Sequence, residues 1–439
     1  GEKEKWQEQF PGENRIQVPF TYETPMSGIG RQERCDRVWY RRKLQINKLE
    51  KKRYVLHFEG CDFYTKVWVN GQFAGSHKGG YSRFSFDVTG LLRDGENQIC
   101  VSAEDSFDIR QPRGKQRWRK ENFACWYVQT TGIWKTVWME EVPDLYIKNL
   151  KITPLLQEQS VQIDWELDGD VRGKEAALEF TASFEGKLVY QSSQKVQRNY
   201  GTTVFSVFCD DDTLGELSVM LWKPGEPNLY DLEVKLCTKE SEDSVGSYFG
   251  MREIRIDKCN VLLNGNPLYQ RLILDQGYWE DSHLTPPSEE ALIEDIDKIM
   301  ALGYNGVRKH QKTEDERFLY WCDVKGVLVW SEMASAYGFD DYAIEEFTKE
   351  WMEIVKQNYS HPCIVTWTPF NESWGIRYVE TDRRQQHFTE EIYHLTKAID
   401  PYRPVIVNDG WEHTVSDIIT LHDYEEEGKI FLERYGKLK

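Results

Sequence analysis

The chain has 439 residues and a formal net charge of −18 at pH 7. Nucleic-acid binding depends on concentrated Lys and Arg, so this acidic balance argues against a nucleic-acid partner, and the basic run 110–120 is interpreted as a solvated loop. No segment has the ~18 uncharged apolar residues of a membrane span, so no membrane partner is expected. At roughly 150 residues per domain, the length predicts two or three domains.

Nine cysteines are spread along the chain without a Cys-x-x-Cys pair or a His–Cys cluster. We interpret them as buried free thiols, which points to a reducing compartment or to bacterial secretion without disulfides. The localisation therefore stays open between the cytoplasm and the periplasm or exterior of a bacterium. These spacings predict neither a metal nor any other cofactor.

The first part of the chain consists of short segments in which apolar and polar residues alternate. Three of them precede Asn70-Gly71, and Phe73-Ala74 follow. Asn-Gly after an alternating run is a strong signal for a tight β-hairpin. Residues 1–142 are therefore predicted to form an all-β sandwich.

A second set of alternating segments begins at Pro143, with turn residues such as 222–228 between them. About seven short strands in one stretch of this length are typical of an immunoglobulin-like sandwich. Residues 143–257 are therefore predicted to form one.

From residue 258 onward, predicted strands alternate with helices, which indicates a parallel sheet wrapped by helices. Six strands are predicted, at 269–274, 305–308, 327–330, 364–368, 404–407 and 418–421. Helices are predicted at 288–302, 313–325, 342–359 and 381–399. Eight strands in about 250 residues would close a (β/α)8 TIM barrel, so 258–439 predicts an incomplete barrel. We expect the sequence to be a fragment.

In such folds, polar residues that follow the carboxyl ends of the strands face the ligand. Carboxylates, two histidines and an arginine meet there, which is dense for a structural rim. The set is Asp275, Arg308, His310, Glu332, Asn371, Glu372, Asn408, Asp409, Trp411, His422 and Asp423.

Glu372 is the best candidate for a general acid that cleaves a sugar linkage. Such an acid has to keep its proton near neutral pH, and an apolar pocket built by Trp367, Phe370 and Trp374 would raise its pKa. Asn371 would donate to a sugar hydroxyl. The alternative is a structural Asn-Glu pair at a strand-to-helix turn.

The neighbouring candidates allow more than one role. Arg308 would clamp a carboxylate or keep a catalytic Glu ionised, unless it forms a structural salt bridge. His310 and His422 would bind substrate hydroxyls, which we favour over metal binding because no H-E-x-x-H spacing occurs. Glu332 is either a substrate or cation ligand or a rim carboxylate without a function.

Several motifs together resemble glycoside hydrolase family 2, the family of β-galactosidases, β-glucuronidases and β-mannosidases. Segment 361–367 followed by Asn371-Glu372 is similar to one family signature, and 305–308 followed by 323–330 is similar to the other. Landmarks of the family's sugar-binding domain occur at 67–71, 79–81, 95–99 and 131–134. The resemblance implies a jelly-roll sandwich, an immunoglobulin-like sandwich and a catalytic TIM barrel in that order.

By this resemblance Glu372 is the acid/base. The residues predicted from their positions and chemistry to bind substrate are Asn371, Arg308, His310, Asp275, Trp374, Trp411, His422 and Glu332. The chain departs from the family at Gln311, which stands where the family has His. The family's nucleophilic Glu, which lies on the seventh barrel strand, has no counterpart here, and Glu433 is predicted to lie in a helix.

The sequence thus predicts a retaining exo-β-glycosidase that removes terminal β-linked sugars, with weak or no activity in this chain alone. A non-catalytic carbohydrate-binding protein of the same fold is the alternative. A metal-dependent hydrolase using Asp275, His310 and His422 is a third interpretation. The sugar and the oligomeric state, including a homo-oligomer, stay open.

Overall fold

The computed structural model describes residues 1–12, 14–211 and 216–437, beginning with short 3-10 helices at Glu2–Glu4 and Pro25–Ser27. Antiparallel strands then form a sandwich. One sheet has the order Arg37–Ile46, Gly95–Glu104, Tyr64–Val69, Gln72–Lys78. The facing sheet has the order Phe84–Asp87, Lys52–Phe58, Val137–Pro143, and Cys61–Asp62 pairs with Gly132–Ile133. The predicted hairpin at Asn70-Gly71 is confirmed, because both residues have positive φ and Val69 pairs with Gln72.

A second antiparallel sandwich follows. Its three-stranded sheet has the order Tyr146–Leu155, Ser160–Asp168, Tyr200–Ser206. Its four-stranded sheet has the order Lys187–Val196, Ala176–Phe184, Tyr230–Cys237, Glu242–Phe249. Two small pairs complete it, Cys209–Asp211 with Glu216–Ser218 and Trp222–Lys223 with Glu226–Pro227. Three strands facing four is the immunoglobulin-like arrangement.

The third part opens with the hairpin strands Ile254–Asp257, Asn260–Leu263 and Asn266–Pro267, so position 257/258 lies in a turn. Four parallel strands follow in sequence order: Leu272–Asp275, Gly306–Lys309, Leu328–Glu332 and Ile364–Thr368. Phe370–Asn371 then pairs in parallel with Asn408–Asp409. The helices are Glu289–Ala301, Glu316–Lys325, Asp341–Gln357, Arg383–Ile399 and Gly428–Tyr435.

The end of the predicted sheet differs from expectation. The fifth strand is Asn408–Asp409, preceded by a bridge from Val405 to Trp367, whereas 404–407 was expected. The predicted strand 418–421 is irregular, so counting Ile364–Thr368 and Phe370–Asn371 as one interrupted strand leaves five parallel strands among the described residues instead of six. Side chains occupy the backbone donors on either side of the fifth strand, where a regular sixth strand would pair: Val405 N donates to Asp417 Oδ2 and Gly410 N to Thr420 Oγ1.

The loop 110–120 is not the solvated loop that its charge predicts. Arg113, Lys115 and Arg117 are all buried, because the loop lies against the barrel. The backbone N–H groups of Arg113 and Gly114 donate to the Ser335 carbonyl at 3.0 and 3.1 Å. The first sandwich therefore forms one wall at the carboxyl ends of the barrel strands.

Each part has its own hydrophobic core, and the barrel core also takes in a tryptophan from each sandwich. Trp134 of the first sandwich and Trp222 of the second are fully buried with the barrel residues, and Trp222 Nε1 donates to the Asp323 carbonyl at 2.8 Å. Cysteines are free thiols as expected, but Cys35 and Cys259 are exposed rather than buried. None of the helices in the described residues is long and apolar enough to cross a membrane.

Candidate active site

Glu372 lies directly after the short strand Phe370–Asn371, at the carboxyl end of the parallel sheet. Its backbone N–H donates to the Asp409 carbonyl at 3.0 Å, which ties it to the neighbouring strand. Glu372 and Ser373 both have positive φ, at 49° and 54°. Consecutive non-glycine residues in this region are strained and persist only where their surroundings hold them. The Asn408 side chain does so here by accepting from Ser373 N at 2.9 Å.

The Glu372 carboxylate is partly buried, with a side chain 17% exposed. Its Oε1 lies 2.7 Å from His422 Nδ1 and also accepts a hydrogen bond from the Tyr424 hydroxyl. Burial raises the pKa of Glu372, but the bonds from His422 and Tyr424 and the charges of His422 and His310 together lower it to about 2. Glu372 is therefore ionised at neutral pH in this conformation.

This contradicts the expected apolar pocket. Trp367 is fully buried, and its Nε1 donates to Asp400 at 2.8 Å. Phe370 stacks on Phe347 in the core, with ring centroids 4.7 Å apart. Of the three predicted aromatic residues, Trp374 alone is partly exposed. Hydrogen-bond donors, not apolar rings, set the pKa of Glu372.

His422 bridges two carboxylates, because its Nε2 lies 3.1 Å from Asp409 Oδ2. Burial lowers the pKa of His422, but the bonds to Asp409 and Glu372 raise it to about 9. Its ring packs against Gly410, where a Cβ atom would lie 2.2 Å from His422 Cγ. His422 is therefore an imidazolium at neutral pH and donates from both nitrogens.

Arg308 is the buried centre of the same cluster. Its Nε lies 2.8 Å from both Glu332 Oε2 and Asp409 Oδ2, and its Nη2 donates to Asn371 Oδ1 at 2.6 Å. Glu332 also accepts from Gln311 N at 3.0 Å. Arg308 thus neutralises two carboxylates and orients the Asn371 amide. The NH2 group of Asn371 stays available as a donor.

The other predicted residues are placed less centrally. His310 Nδ1 lies 3.0 Å from Glu332 Oε1. Asp275 is paired with Lys309 at 2.7 Å and belongs to a separate network. Trp411 is exposed, and Asp423 binds Arg434. The structure therefore brings together Glu372, Asn371, Arg308, Glu332, His310 and His422 but not Asp275.

Sequence reasoning missed three contributors. Tyr424 lies two residues after His422, a spacing that places both side chains on one side of an extended segment. The other two come from the first sandwich: Trp126 packs edge-on against Trp374 at 5.3 Å, and its neighbour Lys115 lies beside it. The basic run was the available signal for this loop.

A metal does not suit the candidate residues. Both ring nitrogens of His422 are already engaged, with Glu372 and with Asp409, and Asp275 is paired with Lys309. The tightest group of possible ligands among the described residues is Asp323, His361 and Cys363. His361 is already paired with Asp323 at 2.5 Å and Glu316 at 3.1 Å, and burial keeps the pKa of the Cys363 thiol well above its usual range. This group is an ion-pair network distant from Glu372 in the fold.

Three family models match the chain in succession. They are the sugar binding domain of glycosyl hydrolases family 2 at residues 3–141, the model named glycosyl hydrolases family 2 at 145–252, and its TIM barrel domain at 254–434. The chain belongs to glycosyl hydrolase family 2. The predicted succession of sugar-binding jelly roll, immunoglobulin-like domain and TIM barrel is confirmed.

Relatives with known names include a beta-galactosidase from Thermoanaerobacter pseudethanolicus, 28% identical over 421 residues that cover 91% of this chain and 52% of that protein. Among solved structures, the Parabacteroides merdae beta-glucuronidase is 18% identical with a TM-score of 0.78, covering 93% of this chain and 53% of that one. A beta-galacturonidase from Eisenbergiella tayi is 22% identical with a TM-score of 0.71, and the match covers 90% of this chain and 67% of that one. The chain spans about half the length of the curated relatives it matches.

Proposed function

We propose that this chain carries the acid/base half of a retaining exo-β-glycosidase that removes a terminal β-linked sugar, with Glu372 as the acid/base. The observation that carries the proposal is the 2.7 Å hydrogen bond between Glu372 Oε1 and His422 Nδ1 at the end of the fourth parallel strand. The partner is a carbohydrate, and neither nucleic acid nor membrane takes part. Relatives named for galactosides and glucuronides leave both sugars as candidates.

The proton for the leaving oxygen comes from the hydrogen bond between these two residues. At neutral pH the proton resides on His422, whose pKa is about 9, while Glu372 is ionised. A glycosidic oxygen that displaces the Tyr424 hydroxyl from Glu372 removes one donor that lowers the Glu372 pKa. His422 can then transfer its proton to Glu372 across their hydrogen bond, and the resulting carboxylic acid protonates the leaving oxygen. Glu372, again a carboxylate, later accepts a proton from the attacking water.

Retention also needs a second carboxylate about 5–5.5 Å from the first. Among the described residues, the carboxylates that share this cluster are Asp409 and Glu332, and both are ion-paired to Arg308. Because of these ion pairs, we assign the nucleophile role to neither Asp409 nor Glu332. We therefore propose that this chain alone hydrolyses aryl β-glycosides slowly or not at all.

Added azide tests the role of Glu372 in this chain. Azide attacks the anomeric carbon from the α face, the bond to the aryl oxygen breaks, and Glu372 protonates that oxygen. We expect α-glycosyl azide from 4-nitrophenyl and phenyl β-glycosides. Glu372→Gln should slow the reaction of the phenyl substrate by about 10²–10⁴-fold. It should slow the reaction of a 2,4-dinitrophenyl substrate far less, because that leaving group needs no proton. Glu380→Gln, an exposed carboxylate nearby, is the control.

Rapid hydrolysis by the unmodified chain without azide would contradict the missing nucleophile. An equal loss on both substrates in Glu372→Gln would contradict the acid role. The ionised state of Glu372 also suits a non-catalytic carbohydrate-binding protein. Tight glycoside binding with no azide product would favour that second function.

A further inference from the structure

Four lysines are buried among the described residues: Lys115, Lys135, Lys309 and Lys312. Three of them bind oxygen atoms. Lys309 pairs with Asp275 and Glu314, Lys312 pairs with Glu314, and Lys135 donates to two backbone carbonyls. A buried ammonium without such partners costs several kcal/mol of solvation, so these contacts are expected.

Lys115 differs from the other three. Its Nζ lies 3.3 Å from Cys125 Sγ and 5.7 Å from the centre of the Trp126 ring. Across 1–12, 14–211 and 216–437, no carboxylate or carbonyl oxygen pairs with it, although only 6% of the residue is exposed. A thiol and an aromatic face are weak substitutes for an anion. Lys115 therefore has no anionic partner among the described residues, although its side chain is largely buried.

The loop that carries Lys115 packs on barrel residues close to Glu372 in the chain. The carbonyl of the preceding residue, Gly114, accepts from the Tyr337 hydroxyl at 2.6 Å, which fixes the loop on the barrel. Trp126 contacts both Tyr337 and Trp374, and Trp374 follows Glu372 by two residues. Cys125 lies within electrostatic range of Tyr424, the donor to Glu372.

The other cations of the cluster are already compensated. Arg308 faces Glu332 and Asp409, and His422 faces Asp409 and Glu372. An anionic substrate group would therefore be attracted by Lys115, and by exposed Arg377, whose Cζ lies 4.6 Å from the centre of the Trp374 ring. Trp126 is the ring next to Lys115, and Trp118, Tyr337 and Trp374 pack against Trp126. This cluster offers faces and edges for a sugar or aryl ring.

We propose that Lys115 is a specificity-determining residue that binds an anionic oxygen group of the glycoside. This inference rests on the proposed function of the same site. A lysine ammonium carries three donors for charge-assisted hydrogen bonds to anionic oxygen atoms, and the enclosed position strengthens the attraction relative to water. The group belongs either to the sugar, as in a uronic acid, or to the leaving group.

Calorimetric titration of the chain with three probes tests the inference and identifies the source. The probes are 4-nitrophenyl β-D-galactoside, 4-nitrophenyl β-D-galacturonide and 4-carboxyphenyl β-D-galactoside. We expect one of the two anionic probes to bind about tenfold or more tightly than the neutral one, with the preference shrinking in high salt. Lys115→Met should remove the preference while neutral binding changes little, and Lys115→Arg should keep part of it.

Lys120→Met, an exposed lysine of the same loop, is the control and should bind all three probes like the parent. Equal affinity of the parent for all three probes would overturn the inference and leave the proposed function intact. Equal weakening of all three by Lys115→Met and Lys115→Arg would show a structural role and overturn it too. Binding of no probe at all would overturn both.

Discussion

His422 Nδ1 lies 2.7 Å from Glu372 Oε1, and the opposite nitrogen of the ring lies 3.1 Å from Asp409. One imidazolium thus sits between two carboxylates, both of which have their pKa lowered to about 2. The arrangement stores a proton beside Glu372 without protonating it. The stability of the site consequently depends on pH in both directions.

The first prediction concerns His422→Gln, which keeps hydrogen-bonding ability but removes the charge. The folded pKa of His422 is raised to about 9, so its contribution is complete below 6.5 and is lost as pH rises through about 9. The pKa of Glu372 is lowered, so its contribution to folding stability is complete above pH 4.5 and is lost as the pH falls through about 2. Both contributions are complete between pH 4.5 and 6.5.

We therefore expect His422→Gln to lower the free energy of unfolding by about 1.5–3 kcal/mol near pH 5.5. The difference should shrink at pH 10, where parent His422 is neutral. Urea unfolding at both pH values measures this. His387→Gln, an exposed histidine 3.4 Å from Glu390, is the matched control. A loss as large at pH 10 as at pH 5.5 would contradict the charged state.

Arg308→Met provides the second prediction. It leaves Glu332, which is 0% exposed, and buried Asp409 without their shared cation. Breaking a buried ion pair by removing one partner costs about 3–5 kcal/mol. The exposed pair of Arg384 with Asp341 is the comparison, and Arg384→Met should cost about 0–1 kcal/mol. Similar denaturation midpoints for both variants would refute the central role of Arg308.

A third prediction concerns two glutamates one turn apart where helix Asp341–Gln357 meets the first sandwich. Burial raises the pKa of Glu350 to about 8, and only its Oε1 has a partner, Tyr81 N at 2.7 Å. Its unfolded form ionises near 4.5, so stability falls as pH rises from 4.5 to 8. Glu350→Gln removes this loss and should stabilise the fold by about 1–3 kcal/mol at pH 8, with little effect at pH 4.5.

Glu353 is the matched control of opposite sign. Burial raises its pKa, but hydrogen bonds from His77 and Ser82 outweigh this and lower it. The stabilisation from ionised Glu353 is therefore present above pH 4.5, and Glu353→Gln should destabilise the protein at pH 8. Thermal unfolding midpoints at both pH values decide the matter, and shifts of the same sign at pH 8 would count against the assignment.

The fold was predictable because local patterns agree with the tertiary structure. Alternation identified the two sandwiches, and the strand Ile364–Thr368 was predicted with its observed bounds. The strand expected at 418–421 failed because Ile419 and Leu421 are apolar yet 71% and 66% exposed. Composition cannot distinguish a buried strand from such a segment.

The candidate site was predictable only in its barrel half. Residues after successive strands share one edge, so Arg308, Glu332 and Glu372 could be grouped from sequence. Lys115 and Trp126 could not be added, because more than 200 residues separate them from Glu372 and only packing of two domains joins them. The pKa of Glu372 was mispredicted because two donors, His422 and Tyr424, come from the irregular segment that follows the strand expected at 418–421.

The last prediction uses Gly410 to move His422 without changing a charge. Gly410 has φ +91°, and an added Cβ would lie 2.2 Å from His422 Cγ. Gly410→Ala should cost about 1–2 kcal/mol in backbone strain and push the imidazolium away from Glu372. The pKa of Glu372 should then rise from about 2 towards 4.5, because its strongest donor is withdrawn.

Carbon-13 NMR titration of the Glu372 carboxylate measures this shift directly. Gly428→Ala, at a glycine with no atom within 4 Å of an added Cβ, is the control and should leave the titration unchanged. If Gly410→Ala leaves the Glu372 pKa near 2, the Tyr424 hydroxyl rather than His422 would be the donor that keeps this carboxylate ionised.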